Sequence, residues 1–186
     1  MIRMVAQIQK AEEVIAFWQE AGPSRWFARD DKFDTEIAER FGDLIEPAIS
    51  GELDEWQQTA VGTMALILVL DQFSRNLFRD SARAYAQDDK AIEFTKLAIE
   101  RGFDNAFDVP LKRFIFMPFM HAEDLDLQEQ LIELCAKTDD TDGAKWGEMH
   151  ADIIRRFGRF PHRNELLGRT STAEELAFLE EGGFAG

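Results

Sequence analysis

The stretch Met64-Ala-Leu-Ile-Leu-Val-Leu-Asp-Gln-Phe-Ser-Arg-Asn-Leu77 decides how the rest of the chain is read. It opens with an unbroken apolar run, Met64 to Leu70. That run is far shorter than the roughly 18 residues a membrane span needs. The apolar positions then continue as Leu66, Leu70, Phe73 and Leu77, at the three- and four-residue steps of one helix face. A helix greasy all round and then amphipathic belongs at the centre of a protein, packed by neighbours on every side.

The flanking sequence supplies those neighbours as helices. Upstream, Val14, Phe17, Trp18 and Ala21 space as a helix that Gly22-Pro23 stops. Phe33, Ile37, Phe41, Leu44, Ile45 and Ala48 form a second stripe, with Gly51 placed to end it and Pro47 expected to kink or shorten its last turns. Asp54 and Gln57 read as the N-cap and return partner of the central helix, beginning near Glu55. Downstream, Ala84 to Arg101 reads as a helix ended by Gly102. Pro110 suits the first turn of the next, carrying Leu111, Phe114 and Ile115, and Pro118 is expected to break it. Leu127, Leu131, Leu134 and Cys135 follow. Trp146, Met149, Ile153 and Phe157 then form a stripe ended by Gly158 and Pro161. Ser171 and Glu174 read as a capping box before a short helix through Leu179.

No segment carries a convincing strand pattern. The expectation is an all-α single domain over residues 1–186, built of about seven or eight helices stacked as antiparallel hairpins, because short loops join antiparallel neighbours. The segment around 84–102 looks like half a tetratricopeptide unit, but no repeat period survives elsewhere. The fold is therefore expected to be tetratricopeptide-like without a clear sequence repeat.

Composition agrees. With 186 residues, 45% of them hydrophobic and 31% charged, the chain suits a globular domain with an ample core. Sixteen Phe against one Tyr suit an interior whose rings need no hydrogen-bond partner. Lys and Arg number 21 against 36 Asp and Glu, a net charge of −15 with neither half basic. Such a field repels phosphate backbones and anionic lipids, so no nucleic-acid and no membrane partner is expected. The lone Cys135 sits at a core-facing position, cannot form an internal disulfide and fits a reducing cytoplasm. The N-terminus lacks a secretory pattern, and a soluble cytoplasmic protein is expected.

Charge is unevenly spread. From Ile153 to Arg169 five arginines (Arg155, Arg156, Arg159, Arg163 and Arg169) face the single acid Glu165. Asp71 to Arg83 carries Arg75, Arg79 and Arg83, whereas Glu123 to Asp142 holds eight acids and one Lys. A guanidinium presents a planar fork of donors that fits carboxylate or phosphate, and Phe157, Phe160 and Pro161 would anchor the loop around it. The bland reading is equally physical: Asp71 lies four residues before Arg75, the favourable order for a helical ion pair.

All three histidines, His121, His150 and His162, lie in or near these segments. Their spacing is wrong for a metal site, so no metal is expected. Hydrogen-bonded neutral imidazoles are the bland reading, with general acid–base use open for His150 or His162. No P-loop, nucleophile elbow, dinucleotide fingerprint or paired-cysteine motif is present, and no cofactor is expected.

Four groups of residues resemble one bacterial family. They are Phe17-Trp18 with Trp26-Phe27; Asp71-Gln-Phe-Ser-Arg-Asn76 with Phe78-Arg79; Pro118-Phe119 with His121 and Glu123; and Phe157-Gly-Arg-Phe-Pro-His-Arg-Asn164 with Leu167-Gly168-Arg169. The family is number nine-two-four among the domains of unknown function, and the similarity covers nearly the whole chain. The resemblance implies an all-helical, tetratricopeptide-like fold and brings no activity or catalytic residues with it. Ser74 departs from the family pattern, which usually has Pro there, so a weaker kink after Gln72 is expected.

Three functions fit these observations. The favoured one is a non-catalytic helical binding protein for a protein partner or a small anionic molecule. Its candidate ligand-binding residues are Asp71, Arg75, Asn76, Arg79, Arg159, Arg163 and Asn164. The alternative is a hydrolase-like small-molecule enzyme in which His121, His150 or His162 moves protons beside an arginine clamp. In the third, the motifs are internal ion-pair braces.

Overall fold

The computed structural model describes residues 2–184, with side chains from Gln9 onward, and their regular structure is all helical. Among these residues no helix is long and apolar enough to cross a membrane. They cluster into two compact units, the first formed by Met1–Arg79 with Arg83–Pro118, the second by Asp80–Ala82 with Phe119–Gly186.

The first unit holds α1 (Ile2–Ala21), α2 (Pro23–Trp26), α3 (Asp31–Phe41), α4 (Ile45–Ser50), α5 (Ala60–Ile67), α6 (Ser74–Leu77) and α7 (Asp88–Glu100). The quoted central stretch is its axis. Every residue from Gly62 to Ser74 is buried, and α5 packs against α1 and α7. Between α5 and α6 the helix widens into a π-turn at Leu68–Phe73. Trp18, Phe33, Phe73 and Phe114 interlock there, with ring centroids 5.3–5.8 Å from that of Trp18.

Several expected boundaries move. Asp54–Gln58 is a separate 3-10 turn, and α5 is capped instead by Thr59, whose hydroxyl accepts from Gly62 N at 3.0 Å. The bend near Pro47 comes earlier, at Gly42–Leu44, which leaves Pro47 in the first turn of α4, where its missing N–H costs nothing. Pro110 precedes α8 (Arg113–His121) by a turn, and Pro118 lies inside that helix without ending it. The neighbouring Ile115 carbonyl takes a hydrogen bond from the Thr95 hydroxyl at 2.8 Å, so a backbone acceptor beside the proline is satisfied from outside the helix.

In the second unit α9 (Leu125–Lys137) and α10 (Thr141–Phe157) form a hairpin, capped by Asp124 and Asp140. Trp146 was expected inside and is 49% exposed. The seam follows Gly143, Gly147, His150 and Ile154 instead, because glycine lets α10 approach Leu131 and Ile132 closely. Gly158 ends α10 in a left-handed conformation (φ 70°), as expected of a C-terminal glycine. The capping box before α11 (Ala173–Glu180) is Thr172 with Glu175, one residue later than read. Cys135 is buried, as its spacing implied.

Candidate functional site

In the first unit the charged motif closes on carboxylates of the same unit. Arg75, one turn after Asp71, reaches it at 2.9 Å and also meets Asp88 at the start of α7 at 3.0 Å. The Asp71 carboxylate is fully buried and takes a second hydrogen bond from the Gln72 amide at 2.5 Å. Arg79 pairs through Nε and Nη2 with Asp34 in the first turn of α3, and Asn76 donates to the same carboxylate at 2.7 Å. The four candidate residues of this segment thus form one ladder from the π-turn to α3 and α7. Burial and multiple bonds make it a strong lock, since removing one partner leaves a charge stranded in low dielectric.

The second unit carries two further Arg–Glu forks. Arg159 holds Glu175 through two bonds of 2.6 and 2.8 Å. Those bonds, aided by Thr172 N, hold the Glu175 carboxyl down to about 2 against its burial. Arg169 forks onto Glu123 at 2.6 and 2.9 Å, while Glu123 accepts from Phe160 N and Arg169 donates to Phe160 O. Phe160 is thereby pinned by both of its backbone groups. Asn164 is buried, accepting from Arg169 Nε at 3.0 Å and donating to Ser171 at 3.1 Å. Burial pushes the Glu123 carboxyl up, but the bonds from Arg169 and Phe160 prevail and hold it below the usual range.

Inside this frame stands a pair of imidazoles. His150 of α10 and His162 of the 3-10 turn Pro161–Arg163 flank the Phe160 ring, each with its centroid 5.7 Å away. Phe184 stands against both, at 4.6 Å from His150 and 5.3 Å from His162. Arg163 is buried and stacks its guanidinium over Phe160 at 4.5 Å. His150 Nδ1 lies 2.8 Å from Trp146 O. A carbonyl only accepts, so Nδ1 carries the proton and the neutral ring keeps a lone pair on Nε2. His162 differs: its Nδ1 is buried and has no hydrogen-bond partner.

Both rings are held neutral. Burial and then the Arg163 charge push His162 down to about 4, with His150 and His121 adding to the positive field and Glu123 opposing it. Burial, again with Arg163, lowers His150, and the Trp146 carbonyl works the other way. His121, at the end of α8, therefore belongs to the field of this cluster. Among the described residues no group of three or more His, Cys, Asp or Glu is placed to hold a metal ion.

The expected ligand-binding set thus separates by unit and by chemistry. Asp71, Arg75, Asn76 and Arg79 lie in the ladder of the first unit. Arg159 and Asn164 lie in the frame of the second, and Arg163 lies with the histidines. Sequence reading missed Asp34, Asp88 and Glu175, the partners of the arginines, and it missed Phe184. Glu123 and Arg169 stood in the family-like motifs, so a signal for that pair was present.

The family of bacterial proteins of unknown function DUF924 matches residues 14–183. A solved structure of a protein of unknown function from Agrobacterium tumefaciens is 44% identical, with a TM-score of 0.89 over 92% of this chain and 97% of that one. No curated protein matches the chain.

Proposed function

We infer, for a chain that belongs to the DUF924 family, that it is a helical binding protein whose second unit receives a small anionic ligand at His150, His162 and Arg163. The observation that carries this reading is His162 Nδ1, a polar atom buried with neither a protein partner nor exposure to solvent. Leaving such an atom unmet costs roughly 1–3 kcal/mol, which a fold keeps where the atom has another use. Trp18 and Trp56 also bury an unpartnered indole N–H, but each has one donor and sits in apolar core. Gln128 has an unpartnered amide oxygen, yet its NH₂ is fixed by Met120 O and Ala122 O. His162 alone among these can both donate and accept near neutral pH.

The sign of the ligand follows from the field. The Arg163 charge makes the site positive, and Glu123, the acid that opposes it at His162, is engaged by Arg169. A carboxylate or phosphate oxygen would accept from His162 Nδ1–H and favour protonation of either ring. Binding should therefore take up protons. Arg75, Arg79 and Arg159 we assign as braces, on the strength of their carboxylate partners. One feature favours proton transfer as a second reading: His150 has its tautomer set by Trp146 O, which aims a basic Nε2 away from that bond.

The test uses acetate and inorganic phosphate at millimolar concentration. An anion at about 100 times its Kd adds roughly 2.7 kcal/mol to stability. The native protein is expected to melt higher with one of them and to take up protons when titrated in buffers of different ionisation enthalpy. His162→Ala should lose the shift and keep its helical signal. An equal shift in native protein and variant, or none in the native protein, removes this reading.

A further inference from the structure

The carboxyl-terminal segment bears on what kind of anion the site takes. After α11 the chain turns back at Gly182, which has φ 84°, and Gly183 N bonds Phe178 O at 2.9 Å. A Cβ on Gly183 would stand 2.5 Å from that carbonyl and 2.6 Å from the Phe178 ring, so only glycine fits. The next residue is Phe184. Its ring lies edge-on to His150 and His162 and packs with Phe157 and Phe178 against Ile153, Ile154 and Phe160.

Built on the reading above, we propose that Phe184 is an internal stand-in for the ligand, and that the site takes an aromatic anion whose ring replaces Phe184 between the two imidazoles while its anionic group meets His162 Nδ1 and the Arg163 charge. Three observations support it. The two imidazoles and Phe160 already present ring edges and faces to an aromatic group, an arrangement that aromatic pairs favour. Phe184 leaves α11 through a two-glycine turn, a hinge about which its ring can be withdrawn. The polar atom left unmet beside that ring supplies what a phenyl group lacks and an aryl carboxylate has.

The experiment compares benzoate with acetate on the native protein and on Phe184→Ala, by calorimetry and by the histidine Cε1 proton resonances. Vacating the ring site should raise benzoate affinity about tenfold, the gain expected from burying part of a phenyl ring, and leave acetate within about twofold. Gly183→Ala, which displaces the strap by its own Cβ, should give a gain of the same sign and serves if Phe184→Ala does not fold. Benzoate affinity unchanged in both variants, or an equal gain for acetate, overturns the stand-in. If the native protein still binds acetate through His162, only this inference falls. If neither anion binds any of the three proteins, the anion-site reading falls with it.

Discussion

The two units treat the same side-chain type in opposite ways. In the first, Arg75 and Arg79 point at buried or half-buried carboxylates of other turns and helices, and Gln72 and Asn76 fill the remaining positions on Asp71 and Asp34. In the second, Arg159 and Arg169 are spent in the same manner, on Glu175 and Glu123, but what they enclose is a pair of neutral imidazoles beside Arg163 with one ring atom unmet. The lesson is that an arginine-rich motif is not in itself an anion site. The partners decide, and the group worth testing is the His162 ring atom that the frame leaves without a hydrogen bond.

The comparison breaks most visibly at Arg75. Arg75→Ala would remove the cation paired with the fully buried Asp71 carboxylate, and loss of about 3 kcal/mol is expected, toward the lower end for buried pairs. Urea denaturation measures it. Arg75→Lys should recover part of the loss, because a single ammonium cannot serve Asp71 and Asp88 as a fork does. A loss below about 0.5 kcal/mol would remove the brace assignment, since that is the range of surface substitutions.

Arg79→Ala comes next. Asn76 still donates to Asp34 in that variant, so the expected cost is about 2 kcal/mol, within the range for hydrogen bonds to charged groups. Neither variant should alter the anion response of the second unit, which keeps the two assignments separable.

Acid separates the imidazole pair from its frame. His162 titrates near 4 in the folded chain against about 6.5 unfolded, so the unfolded chain takes the proton first. Stability should therefore fall as pH drops from about 6.5 toward 4, and His150 acts with the same sign. Glu175, held near 2, contributes above its usual 4.5 and loses that contribution between 4.5 and 2. Chemical denaturation across pH should show the two windows in succession. His162→Gln should flatten the upper one and leave the lower.

Much of this was legible in the sequence, and the reason it stopped is geometric. The all-helical class followed from apolar spacing and from glycines such as Gly158, because helix periodicity and end signals are local. The Asp71–Arg75 pair was legible for the same reason, lying one turn apart. Arg79 with Asp34 was not: it joins residues 45 positions apart, and any of many acids fitted as well. Trp146 misled because a row of glycines, not the greasiest face, set the α9–α10 seam. Phe184 carried no polar signal at all, and only its neighbours give it a role.

The smallest effect is expected for Ser74→Pro. A proline inside an ordinary helix costs about 3 kcal/mol, through a lost N–H and a clash with the carbonyl four residues back. Ser74 stands at the close of the π-turn, with φ −58°, near the value a pyrrolidine ring imposes. Its hydroxyl reaches back five residues to Val69 O at 3.4 Å, a long bond with little to lose. Phe73 in front of it is helical at ψ −34°, which proline disfavours, so a gain is not expected. Ser74→Pro should cost less than about 1 kcal/mol, the difference from an ordinary helix interior being the room that the wider turn provides. A full 3 kcal/mol loss would mean that the turn gives no such room, and that the serine is matched to a tighter path than a proline can follow.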